Sequence, residues 1–254
     1  MEEMLMQQKL KRYKLSSLYI FFCSLISPIY MRIVPMVRRY NLEAFQCHDI
    51  PKGQVIFAVN HSNIHDIPMM WSILKRHVFV LAGDEPRGDS NGIALSVNGV
   101  IWVKRDQRES KNDAKKNMFK LLKKGKSLLI FPEATWNLTS EKPMLPLHWG
   151  IIELAQKSSC PIVPITLEYT GKKSCRYSVG KAIYTSDKDD KAEMITKLRD
   201  EMATMRWSAW ETFAQDKREN ITIEDFYVYT KERLEEYPKL DVEFEKTTIL
   251  HRNG

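Results

Sequence analysis

Residues 55–66 read Val-Ile-Phe-Ala-Val-Asn-His-Ser-Asn-Ile-His-Asp, an unbroken apolar run that stops at polar side chains able to carry protons. A run without polar alternation and with β-branched residues fits a strand covered on both faces, the condition of a strand inside a parallel sheet. It also locates the chemistry. In open α/β sheets ligands collect beyond the carboxyl ends of the strands, where loops are free to converge. Asn60 to Asp66 occupies that place.

The pattern recurs along the chain. His77–Leu81 and Ile101–Val103 read as strands, and Lys104 and Arg105 stand at the end of the second. Leu128–Phe131 is a strand that runs into Pro132-Glu133-Ala134-Thr135. Ile162–Leu167 follows, with Pro164 predicting an edge or a bulge, because proline cannot donate to a ladder. Tyr177–Tyr184 is the remaining strand candidate. Between them, Ile67–Leu74 reads as a short buried helix with Pro68 in its first turn. Gly83–Gly99 reads as loop with a short helical piece near Ile93–Val97. Ser110 and Asp113 resemble a capping box for a helix whose apolar face is Ala114, Met118, Leu121 and Leu122, stopped by Gly125. Trp149–Lys157 predicts another helix. This alternation predicts one α/β core over residues 46–186, a mainly parallel sheet flanked by helices. Beyond Asp187 a long charged helix (Lys188–Arg218), a further helix (Ile223–Glu236) and a strand (Val242–Leu250) are expected, so that 187–254 packs on the core as an appendage.

Residues 1–14 end in Lys9, Lys11, Arg12 and Lys14, and the seventeen residues Leu15–Met31 carry no charge. Apolar character resumes after Arg32 in Ile33–Val37, before Arg38 and Arg39. A bilayer core asks for roughly 20 apolar residues, and Pro28 weakens the run. Basic flanks on both sides give no preferred crossing direction. Residues 1–45 are therefore expected to form a bent helical pair that dips into one leaflet, with Lys and Arg on anionic head groups; the alternative is a buried N-terminal helix. The expected location is a membrane, on its cytoplasmic face. The formal charge of +7 is carried by the earlier part of the chain, since residues from Asp187 onward hold twelve Lys/Arg against seventeen Asp/Glu. That distribution argues against nucleic acid as a partner. Cys23, Cys47, Cys160 and Cys175 are scattered without a CxxC pair, which points to a reducing compartment rather than a disulfide framework or zinc site.

His61 and Asp66 are five apart, which on a continuous helix would separate them by about 140° around the axis. A turn must therefore join them. With Asp66 accepting from one ring nitrogen, the other can take a proton from a hydroxyl or amine, giving a general-base dyad. Ser62 lacks a G-x-S-x-G elbow around it. His61, His65 and Asp66 could begin a metal site, but the other histidines show no matching pairing, and no metal is expected. Lys104 and Arg105 form a compact cationic patch suited to a phosphate. Glu133 could bond substrate hydroxyls, orient that patch or cap a loop.

In order and spacing, Asn60-His61-x4-Asp66, Gly99-Val100-Ile101-Trp102-Val103-Lys104-Arg105, Phe131-Pro132-Glu133-Ala134-Thr135 and Val163-Pro164-Ile165 resemble the four sequence blocks of the glycerolipid acyltransferases, most of all the 1-acylglycerol-3-phosphate (PlsC-like) branch. The resemblance covers about residues 15–185. It implies transfer of an acyl chain from acyl-CoA or acyl-carrier protein, as donor substrate and without a cofactor, to the hydroxyl of a lysophospholipid such as 1-acyl-glycerol-3-phosphate. It further implies that His61 is the base and Asp66 its orienter, that Lys104 and Arg105 contact the acceptor phosphate, and that Asn60, Glu133 and Thr135 belong to the substrate site. Membrane lipids are the implied partners. The family's third block usually continues Phe-Pro-Glu-Gly-Thr-Arg, whereas here Ala134 replaces the Gly and Trp136 stands at the Arg. A non-phosphate or amine-bearing acceptor is therefore the alternative expectation, and a catalytically inactive lipid-binding relative a further one.

Overall fold

The computed structural model describes residues 15–83, 90–137 and 142–212, together with 222–224 and 228. Its strands are β1 (Asn41–Cys47), β2 (Ile56–Val59), β3 (Val78–Gly83), β4 (Val100–Val103), β5 (Ser127–Ile130), β6 (Ile162–Gly171) and β7 (Ser174–Val179). They form one seven-stranded sheet in the order β1-β7-β6-β2-β5-β3-β4. β6, β2, β5, β3 and β4 run parallel. β7 returns antiparallel along β6, and β1 lies parallel to β7. The expected α/β architecture is thus present, with a reversed pair of strands at one edge.

Side-chain alternation along the buried strands divides the core between two faces. Ile56 and Ala58 of β2, Leu128 and Ile130 of β5 and Ile162 of β6 face one layer. There they meet helices α4 (Arg108–Lys123), α5 (Gly150–Ser158) and α6 (Lys191–Trp210). Phe57, Val59, Leu129, Val163 and Ile165 face the other layer, with Met69, Met70, Trp71 and Leu74 of α2 (Asp66–Leu74). Both faces of β2 are dry, which is why its sequence shows no polar alternation.

Several expectations change. The stretch read as a bent helical pair is, from Ser17 to Arg38, one continuous helix, α1. A stripe of Ile20, Cys23, Ser27, Met31 and Val34 is buried, while Leu18, Phe21, Leu25, Ile29, Ile33 and Met36 are exposed. Lys120 Nζ bonds the Leu15 carbonyl at 2.8 Å, and the Tyr19 hydroxyl bonds the Ser96 carbonyl at 2.8 Å, so α1 is stitched to the core from its first turn. β1 was not anticipated: an edge strand with mostly exposed residues lacks the apolar run that marks the inner strands.

Pro164 lies in β6, between β2 and β7, and not at a sheet edge. Its carbonyl accepts from the Gly180 N–H at 2.8 Å, where β7 has just ended. A residue's N and O point to the same side of a strand, so the forfeited bond is the reciprocal one to Gly180; the next bonded pair is Ile162 with Ile183, two residues on against three, so the expected bulge is present beside the proline. Ser110 is not a cap. The N-cap of α4 is Gln107, and the Ser110 hydroxyl instead accepts from the Lys104 N–H at 2.9 Å, tying the end of β4 to the helix.

The helical piece between β3 and β4 is α3 (Ser90–Asn98), longer than Ile93–Val97. The long C-terminal helix is α6, capped by Asp190 accepting from the Glu193 N–H at 2.9 Å. Its Met194, Leu198 and Met202 enter the same core layer as β2. Residues 1–14, the remainder of the Lys188–Arg218 expectation beyond Thr212, and the strand over Val242–Leu250 lie outside the described residues, as does most of the Ile223–Glu236 helix.

Candidate active site

β2 ends at Val59, and the next side chain continues its ladder. Asn60 Nδ2 donates to the Leu167 carbonyl at 3.0 Å, and its Oδ1 accepts from the Leu167 N–H at 2.7 Å. Asn60 is wholly buried, so it locks the exit of β2 to β6. The chain then wraps around a carboxylate. Asp66 Oδ2 accepts from the Ser62 and Asn63 N–H groups at 2.8 and 2.9 Å, and the turn closes with the Asp66 N–H on the Asn63 carbonyl. This turn brings together the two side chains that a helix would have separated. His61 Nδ1 lies 2.6 Å from Asp66 Oδ2.

Asp66 is completely buried, whereas the His61 side chain is 17% exposed. A buried carboxylate is tolerable only when donors surround it. Asp66 has four: the His61 ring, two backbone amides and the Tyr169 hydroxyl, which donates to Oδ1 at 2.5 Å. Of the dyad, only the imidazole is reached by solvent.

The loop after β5 supplies the rest of the support for His61. Glu133, fully buried, accepts from the His61 N–H on Oε1 at 3.2 Å and from the Leu145 N–H on Oε2 at 2.8 Å. The Asn137 N–H donates to the His61 carbonyl at 2.6 Å. Phe131 stacks on the imidazole, with centroids 4.0 Å apart and planes at 18°. Trp136 approaches edge-on, and its indole N–H lies 2.5 Å from Nε2. An indole N–H only donates, so Nε2 holds the lone pair and Nδ1–H donates to Asp66. The tautomer is the one a general base needs.

Thr135 is buried within this loop. Ala134 sits in the left-handed region at φ 54°, at the position where the resembled pattern has glycine. That conformation costs a residue with a Cβ roughly 1–2 kcal/mol, of which glycine's greater freedom in the unfolded chain returns about half. Ala134→Gly is therefore expected to raise stability by about 0.5–1 kcal/mol, read as a higher urea midpoint. A lower midpoint would mean that contacts of the methyl group outweigh the backbone strain.

Lys104 and Arg105 lie at the same carboxyl edge, at the end of β4. In the sheet order β5 and β3 separate β4 from β2, and each step is about 4.8 Å. The Arg105 guanidinium reaches back over the end of β3, where a Cβ built on Gly83 would meet its Nη2 at 3.5 Å. The cation thus lies along the row of strand ends that carries His61 and Glu133. His65 does not join the dyad; its Nδ1 meets the Tyr40 hydroxyl at 3.2 Å. Among the described residues no group of three or more His, Cys, Asp or Glu side chains is placed to hold a metal.

Reading of the sequence alone missed Tyr169, and it gave Phe131 no role beyond its place in the third block. A weak signal existed for Tyr169: it follows Leu167 at the strand period of two, so both face the layer that holds α2. Using that signal requires knowing that β6 neighbours β2.

Residues 37–168 match the family model described as Acyltransferase, a span that includes His61, Asp66, Arg105 and Glu133. A chloroplastic 1-acyl-sn-glycerol-3-phosphate acyltransferase of Brassica napus is 32% identical over 132 residues, 52% of this chain and 37% of that protein. The 1-acyl-sn-glycerol-3-phosphate acyltransferase of Saccharomyces cerevisiae is 30% identical over 169 residues, 61% of this chain and 56% of that protein. The matched segments thus span between a third and three fifths of these relatives. The solved 1-acyl-sn-glycerophosphate acyltransferase PlsC of Thermotoga maritima superposes with a TM-score of 0.60 at 14% identity, over 74% of this chain and 80% of that one. At that identity the likeness speaks for the fold.

Proposed function

The chain belongs to the acyltransferase family, and from that premise we propose that it moves a fatty acyl group from acyl-CoA or acyl-carrier protein to the hydroxyl of a lysophospholipid such as 1-acyl-glycerol-3-phosphate, at a membrane surface. The observation that carries this reading is the His61–Asp66 dyad at the carboxyl edge of the sheet, with its tautomer set for proton abstraction. The donor carbonyl is already activated as a thioester, so deprotonating the attacking hydroxyl is a main demand on the protein. The acceptor oxygen bonds to the carbonyl carbon while its proton passes to His61 Nε2. Asp66 stabilises the imidazolium. Collapse breaks the C–S bond, and Nε2–H returns the proton to the sulfur, leaving an ester and a free thiol.

Asn60 and Glu133 act in this reading as positioning groups, since their polar atoms hold backbone of β6, of His61 and of Leu145. Arg105, with Lys104, binds the acceptor phosphate, as a fork and a point charge. Thr135 lines the same loop.

Membrane docking rests on α1. It is long and apolar enough to cross a bilayer, but one stripe of it is packed on the protein. A helix so embedded suits lying in the interface on its exposed face, with Arg32, Arg38 and Arg39 toward anionic head groups. A second reading, acyl transfer to a phosphate-free acceptor, is favoured by Trp136 in place of the arginine that the family pattern carries.

One experiment separates them. Full-length protein is mixed with anionic vesicles and acyl-CoA, and a panel of lysophosphatidate, other lysophospholipids, a long-chain alcohol and a long-chain amine is scored by mass spectrometry, with flotation of the same samples. Co-flotation and preference for lysophosphatidate are expected. Product from the phosphate-free acceptors alone would replace the first reading by the second, and protein left in the soluble fraction would remove the docking.

A further inference from the structure

The lone pair that His61 needs for catalysis is already taken. Nδ1 is committed to Asp66, and Nε2 accepts from the Trp136 indole N–H at 2.5 Å. A neutral imidazole offers one in-plane acceptor. Any hydroxyl that is to lose its proton to Nε2 must therefore replace the indole. The histidine itself is held in place. His61 is held on its face by Phe131 and along its backbone by Glu133 and Asn137. Trp136 is only half-buried, between Thr135 and Asn137.

We propose that Trp136 is a positioning residue that keeps His61 from activating water until a bound acceptor hydroxyl displaces the indole, and so sets the preference for acyl transfer over thioester hydrolysis. This rests on the acyl-transfer reading above. With the base uncapped and no acceptor present, a water oxygen would bond to the thioester carbonyl carbon as its proton passes to Nε2. The C–S bond would break and the proton would pass to sulfur, yielding a free fatty acid and a thiol.

The discrimination has a simple physical source. A water that displaces the indole exchanges one hydrogen bond to Nε2 for another and gains nothing further. An acceptor brings contacts remote from the hydroxyl, such as an anionic group on Arg105 and an apolar chain, and this binding energy offsets the loss of the indole contact. The cap thus yields to a large ligand and resists a small one.

The test compares full-length wild type with Trp136→Phe, which keeps an aromatic ring and removes the donor; Trp136→Leu carries the same expectation. Diethyl pyrocarbonate attacks the unprotonated imidazole lone pair without any substrate, and its rate at His61 is read by peptide mass spectrometry. It is expected to rise about tenfold in the variants, the factor to which one hydrogen bond corresponds. An unchanged rate overturns the cap. With acyl-CoA and no acceptor, thiol release is expected to rise by about the same factor relative to transfer measured with lysophosphatidate. An equal hydrolysis-to-transfer ratio in wild type and variants, with turnover intact, overturns the role of Trp136 alone. No thioester consumption by any of the proteins, with every acceptor of the panel, overturns the acyl-transfer reading and the proposal with it.

Discussion

His61→Ala is expected to lower acyl transfer by about 10²- to 10⁴-fold, the range that a positioned general base supplies. The effect should fall on kcat at saturating donor and acceptor, because the imidazole acts in the transition state and contributes little to ground-state binding. Asp66→Asn should reach the same order through a different route. Asp66 Oδ2 accepts from the His61 ring and from two backbone amides, and Oδ1 from the Tyr169 hydroxyl. An amide can place only one acceptor oxygen among these four donors, so its NH2 group must face a donor, and His61 loses either its tautomer or its orientation. The Asp66→Asn protein should also unfold at lower urea, since a wholly buried group is left mismatched, whereas His61→Ala should be close to wild type in stability. Initial rates and urea titrations on the two variants separate these effects. Wild-type rates in His61→Ala would remove the dyad from the mechanism.

The largest change in stability is expected from Arg206→Met. Arg206 of α6 and Glu168 of β6 are each only 6% exposed. The guanidinium engages both carboxylate oxygens, through Nε and through Nη2 at 3.2 Å, and its Nη1 bonds the Pro143 carbonyl. Trp210 Nε1 adds a bond to Glu168 Oε2 at 2.7 Å. Methionine would fill much of the volume but leave a buried carboxylate facing the Trp210 indole, at a cost of roughly 3–5 kcal/mol. The double variant Arg206→Met, Glu168→Leu should recover most of that loss, because a buried ion pair replaced by apolar side chains is often neutral. Urea unfolding of both single variants and the double variant gives the coupling. A single variant within about 1 kcal/mol of wild type would show that water reaches the pair. The pair also neighbours the dyad's supports. Glu168 precedes Tyr169, and Pro143 lies close to Leu145, whose N–H holds Glu133.

Much of the architecture was legible because its signals are local. Val55–Val59, Leu128–Phe131 and Ile162–Leu167 lack polar alternation because both their faces are covered, and the helices at α4 and α5 show their apolar stripes directly. Misreadings occurred where context overrides local preference. Pro164 argued for an edge or a bulge; it sits inside the sheet, beside the extra residue that the neighbouring segment carries between Gly180 and Ile183. Pro28 argued for a bend, yet α1 runs on through it, held by contacts with the core at its buried stripe and at Leu15 and Tyr19. β1 escaped notice because an exposed edge strand needs no apolar run.

By itself the sequence determined which short segments must be buried, and hence that His61, Arg105 and Glu133 stand at strand ends on one edge of a parallel sheet. It did so because burial imposes a periodicity that can be read within a few residues. Only the tertiary structure decided what those side chains do to one another. Strand order, which follows from how distant faces can be buried together, put β6 beside β2 and so brought Tyr169 to Asp66. The loop after β5 turned Glu133 inward to the backbone of His61 and carried Trp136 to its Nε2, contacts that satisfy buried polar groups across more than seventy residues of chain. No local pattern encodes them, because each hydrogen bond depends on which remote group is left unpaired when the core closes.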